Sequence, residues 1–190
     1  MCLNLLAATG ESHAVALAFT QYQSADNMTD RMAALLTLAQ HDVPQRKTAF
    51  ADFYQRYQNN PLIVDKWFTL QAITPDKTTL DNVRALTAHP TFSMSNPNRV
   101  RALIGSFATI NQKEFNRADG AGYDFLAEQI LTLDESNRQV AARMATVFRT
   151  WRTLEASRRA RAEAALQKIA ARSTLSNDVR DIVARALANA

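Results

Sequence analysis

The side chains whose types and spacing could do chemistry are Arg101, Arg143 and Gln139. Arg101 lies in the stretch 96–107, where Val100, Leu103, Ile104 and Phe107 fall at i, i+3, i+4 and i+7 and make one apolar helical stripe. At about 100° per residue, Arg101 and Gly105 share one flank of that stripe, and Arg99 and Ser106 share the other. A permanently charged guanidinium beside a residue without a side chain, at the margin of a buried face, suits the lining of a concave surface. The plainer reading is an ordinary amphipathic helix carrying two solvated arginines. Arg143 repeats the placement. Val140, Met144, Val147, Trp151 and Leu154 define a core face, and Gln139, Arg143, Thr146 and Thr150 share one flank of it, whereas Arg149 and Arg152 point away. The plainer reading of Arg143 is a snorkelling side chain that covers apolar surface. Gln139 has a structural alternative too, because Ser136 and Gln139 have the spacing of a capping box.

Other chemistries lack their residues. A zinc peptidase site of the H-E-x-x-H kind needs two imidazoles one helical turn apart with a glutamate as base. His13, His41 and His89 are far apart, and none has a partner at metal-ligand spacing, so they read as surface or helix-end residues. Residues 104–107, I-G-S-F, do not make a G-x-S-x-G elbow. Gly120-Ala121-Gly122 follows no strand and reads as a turn, not a dinucleotide fingerprint. Cys2 has no basic neighbour to activate it. The sequence therefore predicts no catalytic and no metal-binding residue, and no cofactor, in this chain.

The elements that position the three candidates are helices throughout. Apolar residues recur with helical period over 11–23, 27–40, 44–58 and 61–73, then over a shorter stretch, 80–88. The helix around Arg101 follows, opened by Asn96 as cap and Pro97 in the first turn. After Asn111 the pattern weakens, and it returns over 123–133, 137–154, 158–171 and 177–188, with Ser136, Ser157 and Ser176 as candidate caps. Pro44, Pro61 and Pro97 restart helices, and short polar connections predict antiparallel neighbours. With 4 Gly, 5 Pro and no linker among 190 residues, the expectation is one all-α domain of stacked helical pairs, a superhelix of HEAT or armadillo character without a strict repeat.

Charge is uneven. Residues 138–190 hold 11 Lys and Arg against 4 acids, and residues 1–137 hold 11 against 14. The helical spacing puts most of the C-terminal arginines on outer faces, and no recognition fold accompanies them, so nucleic acid is not expected as a partner. No apolar run is long enough for a membrane span, and the first residues lack the basic region of a signal peptide. They read as a helix entered part-way, with Met1 as an added start. A lone cysteine excludes an internal disulfide and fits a reducing, cytoplasmic compartment.

The stretch H-P-T-F-S-M-S-N-P-N-R-V-R-A-L-I-G-S-F-A (89–108) resembles the C-terminal helical domain of bacterial aminopeptidase N, a zinc-dependent alanyl aminopeptidase of the gluzincin type. The likeness extends in order through D-K-W-F-T-L-Q-A (65–72), D-G-A-G-Y-D-F-L (119–126) and N-R-Q-V-A-A-R (137–143). It implies a domain that closes over a catalytic domain and helps enclose an internal chamber. The zinc ligands, the catalytic glutamate and the residues that bind the substrate amine would lie in other domains of the same polypeptide. The family's two chamber-facing arginines and glutamine match Arg101, Arg143 and Gln139, which the resemblance makes substrate-binding residues for peptides. Leu3, Leu5 and Leu6 become candidates for the surface that meets neighbouring domains. The alternative is a free-standing helical-repeat adaptor that binds a protein or an anionic ligand on its concave face.

Overall fold

The computed structural model describes residues 2–188, with the side chains of Cys2 and Ser12 outside that description. The readings of Met1 and of the Cys2 thiol therefore fall outside the described residues. Among these residues every regular element is a helix and none is a strand. Helices α1 (Cys2–Ala7), α2 (Ser12–Ser24), α3 (Met28–Ala39), α4 (Pro44–Tyr57), α5 (Pro61–Ile73) and α6 (Thr79–Leu86) each pack on the next or next but one. A central helix follows in three parts: α7 (Pro97–Val100), a π turn (Arg101–Gly105) and α8 (Ser106–Ile110). After the short α9 (Gln112–Phe115) come α10 (Ala121–Ser136), α11 (Arg138–Ala145), a 3-10 helix (Thr146–Thr153), α12 (Ala156–Ala170) and α13 (Asn177–Ala188). Helix α10 packs on α11 and α12, and α13 closes on both, so the expected stack of helical pairs is what forms.

Asparagine starts much of it. The Oδ1 atoms of Asn27, Asn60, Asn96, Asn111 and Asn137 each accept from backbone N–H groups two or three residues on, at 2.9–3.4 Å. Each bond satisfies a donor that the first helical turn leaves without a partner. Pro61 and Pro97 directly follow two of these caps and cost nothing there, because the N–H they lack has no acceptor in a first turn. Buried Asn111 does more: its amide donates to the carbonyls of Ala72 and Thr74, at 2.9 and 2.8 Å, and so closes the C-terminal end of α5.

One apolar cluster runs from Val15 to Val183, and Val100, Leu103, Ile104 and Phe107 sit fully buried at its middle. Toward the N-terminal side, Trp67, Phe68, Tyr54, Phe92 and His89 pack edge to face or tilted. In α3, Leu36 is exposed, and Leu35, Leu38 and Ala39 take the core. Of the N-terminal leucines, Leu3 packs partly against the cluster, whereas Leu5 and Leu6 stand exposed.

Four local expectations need correction. The helix around Arg101 is not an unbroken α-helix, for it takes up a π turn. The stretch 137–154 is α-helical only to Ala145 and then tightens to 3-10, which stacks Phe148, Trp151 and Leu154 every third residue against the core. Ser157 lies inside α12, whose cap is Glu155, accepting from the N–H groups of Ser157 and Arg158 at 2.8 and 2.9 Å. Arg152 does not point away: it donates to the carbonyls of Ala186 and Leu187 and lies over the Trp151 ring. Ser176 does cap α13, through Val179 N–H at 3.4 Å, while buried Asp134 of α10 accepts from the Ser176 N–H at 2.8 Å.

Two glycines differ sharply in what they permit. A Cβ on Gly122 would stand 2.2 Å from the carbonyl oxygen of Phe115, whereas one on Gly105 would find its nearest neighbour, Met144 Cε, at 3.7 Å. Gly122→Ala must push backbone aside and is expected to cost about 3 kcal/mol or more, a fall in Tm of roughly 6 °C or more. Gly105→Ala is expected to leave Tm within about 3 °C, since ordinary contact and better helix propensity offset the crowding. Thermal melts of the two variants check both.

Candidate functional site

Arg101 of the central helix and Gln139 and Arg143 of α11 line one open hollow of about 400 Å³ together with Pro97, Asn137 and Val140. One wall is the start of the central helix and the other is the first turn and a half of α11. The two walls come together where Gly105 faces the thioether of Met144, with room for a Cβ in ordinary contact at 3.7 Å.

Arg101 owes its direction to Arg99. The Arg99 side chain is buried, where the amphipathic pattern expected a solvated one. It donates from Nε to the carbonyl of Thr91 at 2.9 Å and from Nη1 to the carbonyl of Pro61 at 2.8 Å, and it pairs with the carboxylate of Asp65. The guanidinium also lies 5.5 Å from the centre of the Phe68 ring. Two residues along a helix turn through about 200°, so an inward Arg99 sends Arg101 outward into the hollow. The π turn begins at Arg101, whose carbonyl accepts from both the N–H and, at 3.3 Å, the hydroxyl of Ser106. Turns of this kind recur at functional sites because the extra residue re-aims the side chains around it. The Arg101 guanidinium in turn donates to the Oδ1 of Asn98, a neutral partner.

On the other wall, Gln139 and Arg143 are four residues apart and exposed on one face of α11. The capping-box reading of Gln139 is overturned. The cap is Asn137, which accepts from Val140 N–H at 3.2 Å, while Ser136 ends α10 and turns its hydroxyl back to the carbonyl of Leu133 at 3.5 Å. Asparagine outcompetes serine here because it stands one residue closer to the helix. Gln139 is thereby left with no capping role.

No acid lines the hollow, and the ion pairs among the described residues leave Arg101 and Arg143 out. Nearby acids are engaged elsewhere: Asp65 by Arg99, Asp134 by Ser176, Glu135 by Arg172. Two uncompensated guanidinium groups and the N-terminal turn of α11 converge on one space, which favours an anion there. Arg99, the strongest structural determinant of the site, was missed by pattern because its wheel position matches that of an exposed residue. The signal that could have found it is Asp65, the one acid of a mainly apolar helix, placed one turn in. Among the described residues no three His, Cys, Asp or Glu side chains gather as a metal site would require.

Residues 1–188 match the family described as "Domain of unknown function (DUF3458_C) ARM repeats". The chain belongs to this ARM-repeat family. It is 39% identical over 188 residues to aminopeptidase N of Escherichia coli, a match covering 98% of this chain and 22% of that protein. To aminopeptidase N of Haemophilus influenzae it is 38% identical over 187 residues, again 98% of this chain and 21% of the relative. Among solved structures, Legionella pneumophila aminopeptidase A in complex with aspartic acid superposes with a TM-score of 0.87 at 32% identity, over 92% of this chain and 21% of that one. This ARM-repeat chain thus spans about a fifth of the length of these relatives. No helix of its described residues is long and apolar enough to cross a membrane.

His89 sits against Arg99 and reports on this packing. Its Nδ1 accepts from the Thr91 N–H at 3.2 Å, which puts the ring proton on Nε2. Burial, and secondarily the Arg99 charge, push its pKa below the ordinary 6.5. Because the folded value is depressed, the unfolded chain takes up the proton first as pH falls. Stability from this group is complete above about pH 6.5 and is lost below it, down through the folded value. Urea melts between pH 7.5 and 5.5 are expected to show declining stability, and His89→Gln to flatten that decline.

Proposed function

We propose that these 190 residues form the C-terminal all-helical domain of a zinc aminopeptidase that releases N-terminal amino acids from peptides, and that the domain closes the substrate chamber. Two facts support this over a free-standing adaptor: the chain matches aminopeptidases along nearly its whole length, and it accounts for only about a fifth of theirs. The domain's partners on this reading are the catalytic and other domains of the same polypeptide, and the exposed Leu5 and Leu6 belong to the surface they cover. The zinc that the reading implies would be held by those other domains, since among the described residues of this one no three His, Cys, Asp or Glu side chains gather.

The observation that carries the assignment of Arg101, Arg143 and Gln139 is the convergence of two guanidinium groups without acidic partners on one hollow. An exopeptidase that cuts the first bond must hold the remainder of the peptide, and in a short peptide that remainder ends in a carboxylate. A guanidinium binds a carboxylate through paired hydrogen bonds and keeps its charge at any working pH. In a partly enclosed space each such contact contributes on the order of 1.5–3 kcal/mol. Gln139 adds a neutral donor and acceptor beside them. An equal gain for substrate and transition state shows in KM, and a gain through positioning raises kcat as well.

In the parent enzyme, Arg101→Ala and Arg143→Ala are expected to lower kcat/KM for di- and tripeptides by roughly 10- to 100-fold, and for alanyl anilides, which have no carboxylate, by much less. Gln139→Ala is expected to have a smaller effect than either. With no capping role to lose, it should leave Tm unchanged. Equal losses on peptides and anilides would mean that the arginines support the fold or a domain contact instead.

The chain by itself is expected to hydrolyse no alanyl anilide, with or without added zinc. Zinc-dependent turnover that co-purifies with it through size exclusion would overturn the reading.

A further inference from the structure

The run N-P-N-R-V-R holds two arginines with opposite partners. Arg99 is buried against a carboxylate, so its charge is compensated in place. Arg101 is exposed, and its partner is the amide oxygen of Asn98, three residues back on the same helical face. An amide oxygen can orient a guanidinium without cancelling its charge. A carboxylate at the same position would orient it and cancel the charge together, and would occupy the N–H pairs that an incoming carboxylate needs. Resting on the proposed function of the hollow, we infer that Asn98 is the residue that sets its preference for a free carboxylate: it aims Arg101 and, being neutral, leaves the guanidinium free to bind.

The geometry makes Asn98 cheap to change. It is exposed, its backbone N–H is already satisfied by the Asn96 cap at 3.0 Å, and it stands in the first turn of the helix. An aspartate there is favoured by the partial positive charge of the helix N-terminus, so Asn98→Asp is not expected to lower Tm. A structural role and a binding role for residue 98 therefore make opposite forecasts for this substitution.

The test compares parent-enzyme variants on a tripeptide with a free C-terminus, the same tripeptide amidated, and an alanyl anilide as internal reference for the zinc site. The quantity read is the ratio of kcat/KM for the free peptide to that for the anilide. Asn98→Asp is expected to lower this ratio by roughly 10- to 100-fold, as Arg101→Ala does, chiefly through KM, and to abolish the preference for free over amidated peptide. Asn98→Ala, which loses the aim but keeps the charge, is expected to lower it by about 3- to 10-fold. Asn98→Gln, which restores an amide, should recover part of that loss. If Arg101→Ala lowers the ratio and Asn98→Asp does not, the inference about Asn98 is wrong and the carboxylate assignment stands. If neither does, both are wrong. An Asn98→Asp variant whose Tm falls in step with its peptide activity would show a structural role and also overturn the inference.

Discussion

The buried pairing of Arg99 with Asp65 is the constraint on which the rest of the site depends. Removing one partner from such a pair typically costs about 3–5 kcal/mol, because the other charge is left in a medium that cannot solvate it. Arg99 has a further share of acceptors in the carbonyls of Pro61 and Thr91, so one side chain ties the start of α5, the loop before the central helix and that helix itself. The pair leaves little freedom in how the central helix is rotated about its axis. Everything that faces the hollow from that helix inherits its direction from this rotation.

Charge in this chain is thus sorted by burial. Arg46 is buried against Asp42 and Asp76, and bonds from the Thr78 backbone and then from Arg46 bring the Asp76 carboxyl down to about 2. Arg84 and Lys168 share Glu128 at 3.1 and 3.4 Å across α6, α10 and α12, half-exposed contacts of the sort that contribute little each. Arg101 and Arg143, by contrast, are left open toward one space. In the basic C-terminal quarter, Arg152, Arg158, Arg172 and Arg180 donate instead to backbone carbonyls or neighbouring side chains.

The all-helical architecture was legible in the sequence because period and punctuation agree: apolar residues at helical spacing, Asn-Pro starts, and few glycines. Arg101, Gln139 and Arg143 could be placed at stripe margins by the same means. That they share a hollow was not legible, since it depends on which helices abut, and residues 101 and 143 are linked by no local pattern. The Asn137 cap was missed because two cap formers stand side by side, and only the backbone decides between them. The 3-10 stretch after Ala145 escaped notice since Phe148, Trp151 and Leu154 suit a spacing of three as well as the α period. Arg99 was misplaced because a helical wheel sees one helix, and its partner lies on another.

The π turn has a consequence for how relatives of this chain are compared. It stores one residue more than an α-helix of the same rise, so the segments on either side of it, with buried Val100 and Phe107, keep the direction an unbroken helix would give them. A relative that lacks it would show a gap of a single position inside 101–105, which alignment treats as trivial. The helix around that gap closes to a plain α turn, and both the Arg99 end and the Phe107 end keep their sockets. Only the side chains of 101–105 are re-aimed. Among distant members, a one-residue gap at this place therefore marks a change in what faces the hollow, with the core around it left as it was.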